Sequence, residues 1–182
     1  NRTNGLYYRS KGSEAEFTKL FDHDDNAYDI IAEIDGHVYM HTDHDAPKGR
    51  LVRFSLDNPA PENWKTIIQE PKGDHELFEY AFINREKLYV GRSVDLSDQI
   101  DICDLDGNKL DEIPIPEFSQ FYFGRFNKDG DTAYVQISDP KQPGAINRYN
   151  FDANTLDLVE ESNAKLTIDD AEVERIYATS KD

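Results

Sequence analysis

One property of this sequence limits its fold more than any other: short alternating apolar runs recur with a period of about 45–50 residues. Three elements align as Gly36-His37-Val38-Tyr39, Glu86-Lys87-Leu88-Tyr89 and Asp131-Thr132-Ala133-Tyr134, with tyrosines 50 and 45 residues apart (89 − 39 and 134 − 89). A second series, Asp57, Asp104 and Asp152, closes strand-like runs at steps of 47 and 48 residues (104 − 57 and 152 − 104). Each period holds four runs. They are Tyr28–Ile34, His37–Thr42, Leu51–Leu56 and Trp64–Gln69, then Glu76–Ile83, Lys87–Arg92, Gln99–Asp104 and Leu110–Ile115. The third set is Phe121–Phe126, Thr132–Ile137, Ile146–Phe151 and Leu156–Glu160. Four strands per repeat of this length is the pattern of a β-propeller blade, so the expected fold is all-β.

The flanks extend the pattern. Leu6–Arg9 and Phe17–Phe21 read as the outer half of a preceding blade, and Val173–Ala178 reads as one further strand. The expected organisation is a blade remnant at 1–22, blades at 27–70, 75–115 and 117–161, and an exit strand within 172–182. A closed propeller needs about 4–8 blades, so three blades with remnants predict a partial propeller, an arc. Asp35-Gly36, Asp106-Gly107 and Asp129-Gly130 lie between apolar runs, where glycine admits the positive φ of a tight hairpin. Helix signals are confined to Pro59–Trp64, where Pro61 suits the first position of a short turn.

Charge removes whole classes of function. The chain has 37 acidic and 20 basic residues among 182, a net charge of −17. Such a surface repels phosphate backbones and anionic lipids, so neither nucleic acid nor membrane is an expected partner. No run approaches the roughly 20 apolar residues of a membrane helix. Ten Phe, ten Tyr and Trp64 separate the chain from acidic disordered sequences. The chain opens on Asn1 without targeting features and is expected to be an excised piece of a longer protein. Its self-repulsion predicts a melting temperature that rises from low to moderate salt; a flat or falling value contradicts this.

Few residues invite chemistry. His37 and His41 share one face of a strand, and His44, Asp43 and Asp45 adjoin them. This is the only metal-like cluster, set against a plain reading as exposed polar residues of an outer strand and its loop. In a calcium loop with Gly107 or Gly130 sixth, the first position would be Ile102 or Arg125, and neither supplies a carboxylate. Cys103 is the single cysteine and lies in an alternating run, which predicts a buried small hydrophobe. No Gly-x-Ser-x-Gly elbow and no phosphate-binding glycine loop is present.

Two segments carry a resemblance. Thr42-Asp43-His44-Asp45-Ala46-Pro47-Lys48-Gly49-Arg50-Leu51-Val52 is followed by Asp57-Asn58-Pro59-Ala60-Pro61-Glu62-Asn63-Trp64-Lys65-Thr66-Ile67-Ile68. They resemble the Thr-Asn/Asp, Ala/Ser-Pro, Arg-(apolar)₂ hairpin and the Asn/Asp-Pro…Trp-Lys segment of prolyl oligopeptidase family propellers. Leu6-Tyr7-Tyr8, Pro143-Gly144-Ala145-Ile146 and Ile176-Tyr177-Ala178-Thr179-Ser180-Lys181-Asp182 match in order, the last resembling the strand that leads into the catalytic α/β-hydrolase domain. The resemblance spans the whole chain, loosely in the middle blade.

It implies a serine endopeptidase that cleaves short peptides after proline, without metal or organic cofactor. Ser, Asp and His would sit in a hydrolase domain outside this chain, and the propeller would keep folded proteins from them. The partners implied are that domain and its peptide substrates, with self-association through open blade faces expected of the isolated piece. Arg9 stands where some members place a cysteine near the specificity pocket, which makes it the one substrate-proximal candidate; Asn4-Gly5 departs from the usual Asn-Arg before it. The expected location is the cytoplasm, with the periplasm as alternative. The rival reading is a non-enzymatic β-propeller scaffold that binds proteins.

Overall fold

The computed structural model describes residues 3–22, 26–124, 126, 130–141, 144–161 and 172–179. They form four antiparallel sheets. A two-stranded sheet pairs β1 (Leu6–Tyr8) with β2 (Thr18–Phe21). Three four-stranded meanders follow. The first is β3 (Tyr28–Ile34), β4 (His37–Thr42), β5 (Arg50–Ser55) and β6 (Lys65–Ile68). The second is β7 (Glu76–Asn84), β8 (Lys87–Val94), β9 (Ser97–Cys103) and β10 (Lys109–Glu112). The third is β11 (Gln120–Phe123), β12 (Thr132–Ser138), β13 (Ala145–Asn150) and β14 (Thr155–Glu160). The repeat therefore translates into three blades, each a strand-order meander. Among the described residues a single 3₁₀ turn, Pro61–Asn63, starts at the proline that the sequence singles out.

Two compact units divide the chain, residues 1–95 with 99–112 and residues 96–98 with 113–182. In the first unit, strand alternation sorts side chains onto two faces of the first blade. Val38, Met40, Val52 and Phe54 pack with Phe21 and Tyr28, joined by Leu6, Leu20, Leu56 and Trp64. The opposite face carries Tyr39, Leu51 and Ile67, which meet Phe78, Leu88, Val90 and Cys103 of the second blade. This seam joins two blades by apolar burial, worth roughly 1.5–3 kcal/mol for each large side chain. The second unit gathers Phe121, Phe123, Phe126, Tyr149 and Phe151 on one face of the third blade.

Turn chemistry is partly as read. Asp35 and Gly36 have φ of 50° and 75°, the two-residue hairpin their types favour. Arg85 and Glu86 adopt the same geometry (φ 50° and 59°) with no glycine or asparagine to announce it. A non-glycine residue there is strained by roughly 1 kcal/mol. Glu86→Gly is expected to stabilise the hairpin by about that amount, raising the melting temperature by roughly 2–4 °C. A lowered melting temperature would contradict the account. Asp129 of the third Asp-Gly pair, Arg125, Pro143 and Ser180–Asp182 lie outside the described residues.

Two expectations need correction. Val173–Ala178 forms no strand: described residues 172–179 carry no regular structure, and Ile176 and Tyr177 are both exposed. Apolar character alone does not make a strand, which requires a neighbouring ladder to take its N–H and C=O groups. The run Leu110–Ile115 is cut short, with β10 ending at Glu112. Pro114 and Pro116 have no N–H to continue a ladder.

Candidate functional site

The most distinctive sequence segment, residues 43–49 between β4 and β5, serves as a corner brace. Thr42 Oγ1 donates to the Ala27 carbonyl at 2.7 Å, and the Ala27 N–H donates to Asp43 Oδ1 at 2.7 Å. Together they fasten the loop to the start of β3. Only an Oδ1 acceptor is needed at position 43, so Asn would serve as well as Asp. Ala46 N–H donates to the Asp43 carbonyl at 3.0 Å and Gly49 N–H to the Ala46 carbonyl at 2.7 Å, which folds Ala46 into the interior. Lys48 ties the brace to the chain entering the second blade, its N–H on Glu70 Oε1 at 2.7 Å and its Nζ on the Gly73 carbonyl at 2.6 Å.

Asn4, two residues before β1, completes this corner. Its Nδ2 donates to the Tyr28 carbonyl at 3.0 Å, and the Tyr28 N–H donates to its Oδ1 at 2.8 Å. A primary amide matches a peptide group donor for acceptor, and that was the available signal. Trp64 explains the second segment. Its Nε1 donates to the Pro59 carbonyl at 2.8 Å, and its ring meets Phe21, Phe54 and His44 with the Arg50 guanidinium 6.0 Å away.

His37, His41 and His44 do not converge on a metal. His37 is exposed and its Nδ1 lies 3.1 Å from the Asp35 carbonyl. His44 sits against Trp64, with Nε2 3.5 Å from Asp45. His41 is not an exposed residue of an outer strand either. β4 is an inner strand, and the His41 ring stacks on Phe78 of the second blade at 4.4 Å and 14°. Among the described residues no group of three or more His, Cys, Asp or Glu stands ready to hold a metal.

His41 Nε2 is sealed from water with no hydrogen-bond partner, while Nδ1 lies 4.0 Å from Asp29. Burial holds its pKa below 6.5 against the opposite pull of Asp29 and Asp43. Below pH 6.5 the unfolded chain therefore takes up a proton that folded His41 resists. Stability present above pH 6.5 is lost as the pH falls through the folded-state value. His41→Phe keeps a ring on Phe78 and is expected to flatten the melting temperature between about pH 7 and 5 relative to the parent chain. Identical slopes for the two proteins would refute the assignment.

Charged groups border the seam on both sides. Tyr39 OH donates to the Leu105 carbonyl at 3.3 Å and receives Arg53 Nη1 at 3.1 Å. Asp106 then takes Lys65 Nζ at 2.7 Å and Arg53 Nη2 at 3.2 Å. The Lys65 contact, with Arg53 adding to it, holds the Asp106 carboxyl below its ordinary value. In the second blade, buried Asp101 is paired with Arg92 and with Lys109, the latter at 2.7 Å, and Arg92 also reaches Glu76 at 2.9 Å. Cys103 beside them is 2% exposed, and burial raises its thiol pKa, which makes it the inert hydrophobe expected. Arg9 lies beyond the end of β1, exposed, with its guanidinium 4.5 Å from the centre of the Phe17 ring and Nη1 3.3 Å from the Ala15 carbonyl. Leu6 and Phe21 pair at the end of β1–β2 nearest Asn4 and Tyr28, so Arg9 occupies the opposite end from the 43–49 brace.

Successive four-stranded antiparallel meanders define a β-propeller protein. A family model described as the prolyl oligopeptidase N-terminal β-propeller domain matches residues 1–162, and the chain belongs to that family. It is 27% identical over 191 residues to the prolyl endopeptidase of Elizabethkingia meningoseptica, covering 100% of this chain and 26% of that protein. The prolyl endopeptidase of Elizabethkingia miricola is 24% identical over 187 residues at the same coverage. This chain thus spans about a quarter of the curated relatives it matches. The fold is shared with prolyl oligopeptidase B from Galerina marginata, solved with a 35mer hydrolysis and macrocyclisation substrate. That match has a TM-score of 0.74 and 19% identity over 91% of this chain and 23% of that one. A structure from a study of inter-domain dynamics in two prolyl endopeptidases gives a TM-score of 0.75 and 19% identity over 87% of this chain and 23% of that one.

Proposed function

We propose that this chain is the substrate-gating propeller segment of a prolyl oligopeptidase-like serine endopeptidase acting on short proline-containing peptides, and that it performs no catalysis itself. The family match over residues 1–162 carries the reading. The polar groups of its most distinctive segment support it, since Thr42, Asp43 and Lys48 are spent on holding backbone rather than turned toward a ligand. An α/β-hydrolase domain supplies the nucleophile, base and orienting acid, and the blades restrict what reaches them. Arg9, at the free end of β1, is the residue of this chain proposed to lie near substrate.

A chimera tests this. This chain replaces the matching quarter of the Elizabethkingia meningoseptica prolyl endopeptidase, and folding is checked by circular dichroism. Cleavage of a short proline-containing peptide with a folded protein left intact is expected. A folded chimera that digests folded protein would refute gating, and one inert toward proline peptides would favour the scaffold reading.

A further inference from the structure

Asn4-Gly5 is the only Asn-Gly dipeptide in the chain, and it stands where the two-stranded sheet is fastened to the start of β3. An asparagine before glycine is unusually open to attack by its own backbone. Glycine has no Cβ, so its peptide nitrogen approaches the preceding side chain at little steric cost. The fold engages that side chain fully. Asn4 Nδ2 donates to the Tyr28 carbonyl at 3.0 Å, Oδ1 accepts the Tyr28 N–H at 2.8 Å, and the Asn4 N–H donates to the Asn26 carbonyl at 3.2 Å. While both side-chain bonds stand, the amide is held on the Tyr28 peptide and is not free to fold back on Gly5. The sheet behind it is small, a three-residue strand paired with a four-residue one. Such a pair is marginal by itself, so this corner opens at lower cost than the seam between the blades.

We infer that Asn4 is a self-modification site, a one-way latch that deamidates when this corner opens and cannot refasten afterwards. The Gly5 nitrogen forms a bond to Asn4 Cγ, the Cγ–Nδ2 bond breaks, and the proton lost from the Gly5 N–H leaves with Nδ2 as ammonia. Water then opens the cyclic imide. Hydrolysis at Cγ gives an aspartate, and hydrolysis at the backbone carbonyl gives an isoaspartate, whose main chain runs through Cγ and is longer by one atom. Neither product repeats the original contact. A carboxylate only accepts, so the Tyr28 carbonyl faces an oxygen where it had a donor. The new charge also arrives at a corner where Asp43 already serves the Ala27 N–H, in a chain of net charge −17. The isoaspartate lengthens the chain just before β1 and disturbs the pairing of Leu6 with Phe21. The step consumes only water, and it does not rest on the peptidase reading.

The test is peptide mapping by mass spectrometry of the full chain held at mildly alkaline pH, folded or in urea. A gain of one dalton at Asn4 is expected to accumulate in the folded chain, at least about tenfold more slowly than in urea. Asp43→Ala removes the acceptor of the Ala27 N–H and, with folding checked by circular dichroism, should move the folded rate toward the urea rate. Gly5→Ala should remove most of the gain; Gly5 does not hold a positive φ, so alanine suits its backbone. Asn4→Asp supplies one product directly and should lower the melting temperature, followed by Trp64 fluorescence, by about 5 °C. No gain at Asn4 in the folded chain would overturn the inference, as would a gain that persists at the parent rate in Gly5→Ala. Equal rates in the folded chain and in urea, or an unchanged rate in Asp43→Ala, would overturn the control by the corner. An Asn4→Asp variant that melts with the parent chain would overturn the latch.

Discussion

Gly107→Ala is expected to lower the stability of the first unit by about 3–4 kcal/mol, roughly a 10 °C fall in melting temperature. Gly107 closes the β9–β10 turn at φ 89°, where a side chain is strained by about 1–2 kcal/mol. A Cβ there would stand 2.2 Å from the Ile67 carbonyl oxygen of β6, and a backbone atom inside a ladder does not move aside cheaply. The turn must back away instead, which pulls Asp106 from Arg53 and Lys65 and Leu105 from Tyr39. Gly12→Ala is the control. Its φ is 81° but a Cβ would meet nothing within 4 Å, so only the conformational cost of about 1 kcal/mol remains. Trp64 belongs to the first unit and reports its unfolding by fluorescence. Equal losses in the two variants would mean that the turn is not seated against β6.

Leu51→Ala should cost about 2–5 kcal/mol, the range for a leucine removed from a packed interior. Leu51 is fully buried in the seam between the first and second blades, among Tyr39, Ile67, Phe78, Leu88 and Val90. The spread depends on how far the two sheets collapse into the space. An exposed leucine of the same blade pair, Leu110, should change stability by less than about 0.5 kcal/mol when replaced by Ala. Because Gly107 and Leu51 act on one seam, the double variant should lose less than the sum of its parts. Strict additivity, or a Leu51→Ala loss under about 1 kcal/mol, would show that the blades are not held together here.

How much of this was legible follows from what alternation encodes. Period-two patterning names faces, so Val38 and Met40 separate from Tyr39 in the sequence as they do in the sheet. It does not name neighbours. His41 has the same alternation whether it meets solvent or Phe78, and only the second blade's position decides. Val173–Ala178 failed for the same reason, since apolar residues in a short run imply a strand only where a ladder receives them. The corner brace was visible as a family-like string, but its work was not. Thr42 and Asp43 act on Ala27, which lies earlier in the chain by 15 and 16 residues. The Arg85-Glu86 turn was invisible because its φ values contradict its residue types.

The claim that this chain carries the propeller but not the chemistry of a prolyl peptidase is most directly tested by assaying the purified chain. A proline-containing chromogenic peptide is the substrate, with and without a serine-directed covalent inhibitor. Turnover indistinguishable from buffer is the predicted result. Turnover above buffer that the inhibitor abolishes would contradict it.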